Sequence, residues 1–265
     1  MLKKVIRATG LKRAHVAAGR MFLERQWLAR KVIRPTRPRS TGRILCYHSI
    51  GQLESGVNNV EPRRFRQQIE LALRAGFRFV PPSRIAQMDS SPLDLAITFD
   101  DGWKSVLSNA APILRDYDIP WSLFVVTSWC DHPSGWTREN ILPWKDIEHL
   151  AAHGATIGSH SLTHPDFALI DRDQMTDELR RSREIIRQRL GLMPTEFAIP
   201  YGQSMNWPHA AGEIALTVGY DVVYAQAERT RPKDTAPRTF VTCFDGDRIF
   251  NALLRGAYDD WEEWM

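Results

Sequence analysis

Cysteine is scarce in this chain. Its three residues, Cys46, Cys130 and Cys243, are far apart and odd in number, and suggest no disulfide framework. No Cys-x-x-Cys pair is present to suggest a cysteine-bound zinc. Long apolar runs are also missing: no stretch approaches the roughly 20 apolar residues of a membrane span. The start, Met1-Leu2-Lys3-Lys4-Val5-Ile6-Arg7, has the charge of a signal-peptide leader, but no apolar core follows. Lys12, Arg13, Arg20, Arg25, Arg30 and Lys31 interrupt every apolar stretch. The expected location is therefore the cytoplasm, or the periphery of a membrane. Acid is nearly absent at the N-terminus: residues 1–43 hold 13 Lys+Arg against one acid, Glu24, a charge of +12. Subtracting this from the net +4 of the chain leaves −8 for the remainder, so the basic character belongs to the N-terminus. A nucleic-acid-binding fold is not indicated.

What is present suits one ordinary core. The chain has 265 residues, 43% of them hydrophobic and 25% charged, enough for one large domain with an extension. Residues 1–42 are expected to be that extension and residues 43–265 the domain. Within the extension, 14–33 reads as a helix. Val16, Leu23 and Trp27 fall near one face, and Met21, Leu28 and Val32 near another. Arg20 and Lys31 intrude on the apolar arc. Such a helix lies on an anionic membrane surface, packs on the domain, or forms a loose basic tail. Arg34 to Gly42, polar and broken by Pro35 and Pro38, reads as a linker.

From Arg43 onward, strands and helices alternate. Ile44–Ile50, Phe77–Val80, Leu95–Phe99, Trp121–Val126, Ala155–Gly158, Phe197–Ile199 and Asp221–Tyr224 read as strands. Helices are expected from Pro62, over 103–117, 143–152, about 171–190 and 207–217. This alternation predicts a parallel α/β fold, a barrel or part of one. In such folds, chemistry gathers at the C-terminal ends of strands.

Three motifs fall at such ends. Thr98-Phe99-Asp100-Asp101-Gly102 closes one strand. Neighbouring strand residues point to opposite faces, so both aspartates serve one site only if the backbone turns there, as Gly102 permits. A solvated Asp-Asp-Gly turn is the plain alternative. Ser159-His160-Ser161-Leu162-Thr163-His164-Pro165 follows another, Ala155–Gly158, and its His-x-x-x-His spacing suits two imidazoles one helical turn apart on one metal. Pro200-Tyr201-Gly202 follows a third. Beside a carboxylate pair, two nitrogens and one oxygen fit zinc, with Ni2+, Co2+ or Fe2+ as alternatives. His48, near the end of the first strand, is by itself as readily a core residue as a catalyst.

Thr-Phe-Asp-Asp-Gly, His-Ser-x-x-His and Pro-Tyr-Gly, in this order, resemble the NodB-homology polysaccharide deacetylases (carbohydrate esterase family 4) over about residues 43–250. The resemblance implies a distorted (β/α) barrel and a metal-dependent deacetylase site. It implies Asp101, His160 and His164 as metal ligands, Asp100 as general base, and Tyr201 as the backbone N–H donor to the oxyanion. Pro200, Trp136 and Trp207 are candidate substrate contacts, the two tryptophans being equally readable as loop anchors or core. Two departures stand out: Ala198 occupies the place where the family carries the arginine that pairs with the base, and no late Leu-x-His supplies the acid. Phe-Ala-x-Pro-Tyr-Gly, the early Tyr47-His48 and the segment Pro237 to Val241 resemble one branch, the poly-β-1,6-N-acetylglucosamine deacetylases. There the acid comes from the first strand, here His48, with His132 as the fallback.

The implied reaction removes N-acetyl, or O-acetyl, groups from an amino-sugar glycan in exopolysaccharide or cell-envelope metabolism. Acetylated polysaccharide is the expected partner, with an anionic membrane surface as a further one through residues 1–42. One alternative is a deacylase or deformylase of a lipid-linked sugar at the membrane, motivated by the basic N-terminus. The other is a polysaccharide-binding protein with a relic site, motivated by Ala198 and the missing late histidine.

Overall fold

The computed structural model describes residues 13–31, 40–131 and 135–259. Ten strands are described: β1 Arg43–Tyr47, β2 Ser49–Ile50, β3 Asn59–Val60, β4 Arg78–Phe79, β5 Asp94–Phe99, β6 Trp121–Val125, β7 Thr156–Ser159, β8 Glu196–Ala198, β9 Val222–Gln226 and β10 Ala236–Phe240. Seven form a closed parallel barrel in the order β1-β10-β9-β8-β7-β6-β5, with β5 returning to β1. The short β4 hangs on the start of β5, and β2 and β3 pair separately. This is the (β/α) barrel that the alternation of elements predicts. Every residue of β1, β5 and β6 is buried, as expected when helices cover the outside of a parallel sheet and side chains fill its inside.

The period-2 alternation splits the core. Leu45, Tyr47, Ile97 and Phe99 point outward into the large cluster under the helices. Ile44, Ala96, Phe124, Ala198, Tyr224 and Ala236 fill the barrel interior. Gly158 in β7 is required there, since a Cβ would lie 2.5 Å from the Phe124 ring. The expected helix over 103–117 is instead a wide π turn, Val106–Ala110, followed by the α-helix Ala111–Asp116. Pro112 at its start has no N–H to give to the preceding turn.

The N-terminal helix Arg13–Lys31 packs on the barrel, chiefly against the helix Asp247–Leu254. Leu28 joins the outer core. Arg25 is 6% exposed, donates to Asp245 at 2.6 Å and to the Phe240 carbonyl at 2.8 Å, and its own carbonyl accepts from Tyr258. Of the expected linker, residues 34–39 lie outside the described residues. So do Val32, expected on the same face as Met21 and Leu28, and His132, the fallback acid.

Candidate metal and catalytic site

One cleft of about 520 Å³ lies where β1, β5, β7, β8 and β10 end, and Cys46, His48, Asp100, Asp101, His160, His164, Tyr201 and Arg238 line it. The three motif loops, after β5, β7 and β8, each carry a non-glycine residue in the left-handed region: Asp101 (φ 72), Ser161 (φ 72) and His164 (φ 64), and Tyr201 (φ 64). Such conformations cost energy and persist where surrounding contacts enforce them. At the first loop this turn lets adjacent carboxylates face one cleft: Asp101 itself turns left-handed, and Gly102 continues the turn at φ 83.

Asp101, His160 and His164 offer three ligand atoms that lie within 4.8 Å of one another. Asp101 Oδ1 is 3.6 Å from His160 Nε2 and 3.8 Å from His164 Nε2. The His160 Nδ1–H donates to the Ala198 carbonyl at 2.8 Å, which leaves Nε2 bare toward the cleft. Burial and the neighbouring His160 pull the His164 imidazole down to about 4, against the pull of Asp101 and Asp100, so that it is neutral at ordinary pH. A carboxylate and two bare imidazole nitrogens at this spacing fit a divalent ion.

The two histidines do not sit on a helix, as their spacing suggests, but on a loop after β7. Ser161 and His164 turn it, and hydrogen bonds hold the turn. Ser161 Oγ accepts from the His164 N–H at 2.8 Å. Glu178, from the helix Arg172–Leu190, accepts from the Leu162 and Thr163 N–H groups at 2.9 Å each and from the Thr163 hydroxyl at 2.6 Å. Tryptophans brace Asp101 and His164 from the other side. Trp103 donates to Asp101 Oδ2 at 3.0 Å, Trp129 stacks on His164 with centroids 5.4 Å apart, and Trp136 packs edge-on against both tryptophans.

Asp100 lies 3% exposed beside this cluster. Arg238 of β10 grips it with two bonds, Nη1 to Oδ1 at 2.6 Å and Nη2 to Oδ2 at 2.7 Å. The Cys46 thiol donates to Oδ2 at 3.4 Å. Burial pushes the Asp100 carboxyl up. The Arg238 charge, the His160 ring and the Arg238 hydrogen bonds outweigh it and hold the group well below the usual carboxylate range. The arginine absent at position 198 is thus supplied from another strand, a residue that sequence reasoning missed. Its signal was a lone guanidinium in the buried strand Ala236–Phe240, which demands an acid partner.

His48 follows β1 and meets Phe240 edge-on, with centroids 5.5 Å apart. Its Nδ1 is buried and has no hydrogen-bond partner among the described residues. Tyr201 is 59% exposed at the rim, next to buried Pro200. Trp207 is not placed for sugar stacking: it is 4% exposed and packs against Phe167 and Phe197 in the core. Trp136 is half-exposed but, among the described residues, is not part of the cleft lining. Met21 of the N-terminal helix is part of it, so the expected extension contributes to the cleft wall.

Comparison with known proteins agrees with this architecture. The peptidoglycan-N-acetylglucosamine deacetylase PgdA of Listeria monocytogenes is 23% identical over 163 residues, 60% of this chain and 32% of PgdA. The chain spans about half the length, or less, of the curated relatives it matches first. Among solved structures, the Streptococcus pyogenes deacetylase PplD, in complex with acetate, superposes with TM-score 0.69 at 22% identity, over 83% of this chain and 98% of PplD. IcaB from Ammonifex degensii superposes with TM-score 0.67 at 24% identity, over 83% and 98%. At these identities the two likenesses are of fold. The profile of one family, polysaccharide deacetylase, matches residues 88–223, just over half of the sequence, and the chain belongs to that family.

Proposed function

We propose that this protein is a metal-dependent hydrolase that removes N-acetyl groups from an amino-sugar glycan of the cell envelope or an exopolysaccharide. The observation that carries the reading is the meeting, in one cleft, of the Asp101–His160–His164 cluster with an Asp100 carboxylate held ionised by Arg238. PgdA, by its name, acts on N-acetylglucosamine of peptidoglycan, and PplD was solved with acetate. The first supports an acetyl amide as the bond broken, and the second an acetyl group as what is removed.

Asp101, His160 and His164 would hold the metal, most simply Zn2+, with Ni2+, Co2+ or Fe2+ compatible with the same donors. When bound, a divalent ion polarises the acetyl carbonyl and makes water easier to ionise. Asp100 takes the proton from the attacking water. Its low proton affinity keeps it ionised, and Arg238 fixes its orientation. The Tyr201 N–H, presented by its left-handed turn, stabilises the oxyanion. His48, protonated, donates to the departing amine, which leaves poorly without a proton. Arg238 removes the main motive for a relic-site reading, because the base has its partner after all.

The test is hydrolysis. Purified metal-loaded protein is incubated with N-acetylated glycans of several linkages, and acetate and the deacetylated sugar are followed by mass spectrometry. Acetate release, abolished by Asp100→Asn, supports the proposal. Metal-loaded protein that releases none from any of them overturns it.

A further inference from the structure

The N-terminal helix has two faces, and only one of them meets the barrel. The inner face carries Met21 to the cleft wall, Leu28 to the core and Arg25 to Asp245. On the outer face, Leu23 is 68% exposed, and Val16 (39%) and Trp27 (43%) present part of their surface to solvent. At 3.6 residues per turn these three fall within an arc of about 40°. Exposed Arg20 and Arg30 flank them, one on each side of the stripe. Glu24, the helix's single acid, is buried at 8% exposure, so no carboxylate lies on the outer face.

We infer that this outer face docks the protein on an anionic lipid bilayer, with the helix lying in the headgroup plane. An apolar stripe between cations is the pattern of an interfacial helix. No described helix is long and apolar enough to cross a membrane. Charge complementarity selects the occupant: residues 1–43 carry +12 and the rest of the chain −8, which turns the basic side toward an anionic surface and the acidic body away from it. A nucleic acid would use the cations but leave Leu23 and Trp27 in water. A bilayer uses both. Because Met21 on the same helix lines the cleft, docking also places the cleft beside the membrane. The inference does not depend on which bond the site cleaves.

The experiment is co-sedimentation of the full chain with phosphatidylglycerol-containing vesicles and with pure phosphatidylcholine vesicles. The wild type is expected to partition onto the anionic vesicles and to release with salt. Leu23→Glu with Trp27→Glu should stay folded by circular dichroism and lose on the order of a hundredfold in partitioning. Arg20→Ala with Arg30→Ala should lose at least about tenfold. Absence of wild-type partitioning overturns the inference. So does a Leu23→Glu/Trp27→Glu protein that partitions as wild type, since binding would then be adsorption of the basic tail alone. A dimer in sedimentation equilibrium that this double substitution dissolves, without vesicle binding, would assign the face to a second copy and equally overturn it.

Discussion

Replacing Arg238 by methionine keeps the length of the side chain and removes its charge, so it tests the central contact of the site directly. Both partners are nearly fully buried, and both carboxylate oxygens are engaged. Removing one partner of such a pair leaves an uncompensated buried charge and costs about 3–5 kcal/mol. For a domain of this size, that lowers Tm by roughly 6–20 °C. Arg238→Met with Asp100→Asn removes both charges and should recover much of the loss, giving a double-mutant coupling of about 1–3 kcal/mol. The pH dependence changes sign. In the wild type the Asp100 carboxyl is held below its unfolded value, so its contribution is present above about pH 4 and is lost as pH falls below it. In Arg238→Met, burial acts without the opposing arginine and the carboxyl rises above its unfolded value. Stability then falls as pH rises from about 4 toward the new folded value. Thermal unfolding of chelator-treated protein across this range, fitted alongside the acid limb of acetate release, measures both effects. An Arg238→Met protein within about 1 kcal/mol of wild type, with an unmoved acid limb, would refute the argument.

Four other outcomes are expected. His160→Ala removes a nitrogen from the three-donor cluster, and elemental analysis should show loss of stoichiometric metal with the fold retained. Glu178→Ala frees the loop that carries both histidines. Chelator competition should show metal bound about 10–100-fold more weakly, with Glu178→Gln, which keeps an acceptor for Thr163, affected less. His48→Ala should bind metal normally and slow amide cleavage about 10²–10⁴-fold, an ester substrate less, with loss of the high-pH limb. Equal slowing of both with an unchanged profile would make His48 a packing residue. Arg25→Ala strands the buried Asp245 carboxylate and should cost about 3–5 kcal/mol in denaturant unfolding, with partial rescue by Asp245→Asn.

The barrel and the three motif loops were legible because apolar runs of strand length end directly at Asp100, Ser159 and Pro200. What could not be read was anything decided by closure. The register that sets β10 between β9 and β1 brings Arg238 under Asp100 from 138 positions away, and no local pattern encodes that. Ala198 therefore looked like a loss when it was a relocation. The spacing of His160 and His164 suggested a helix because i, i+4 is a helical neighbour relation. A left-handed Ser161, and Pro165 directly after the second histidine, impose a loop instead. Trp129, Trp136 and Trp207 were indistinguishable as aromatics. Only packing shows that Trp129 stacks on His164 while Trp207 belongs to the core. The two faces of the N-terminal helix were visible as a pattern, but not which one would meet the barrel. The extension accordingly looked separable, whereas Arg25 and Met21 join it to the cleft.

The placement of Arg238 on β10 also orders events in time. The carboxylates and both histidines leave the ribosome before the guanidinium does, and 138 positions separate Asp100 from Arg238. At 5–20 residues per second this is a delay of roughly 7–28 s. Over the last 74 of those positions, from His164 to Arg238 and roughly 4–15 s, the nascent chain holds Asp101, His160 and His164 but neither the closing strand nor the counter-charge of Asp100. β10 is also the last strand of the barrel, so one event seals the ring between β9 and β1 and neutralises Asp100. An arginine on β8, at position 198, would have reached the base while the ring was still open. Here a chain cut short before β10 retains the Asp101–His160–His164 cluster but leaves Asp100 without its counter-charge, so the proposed hydrolysis waits for β10.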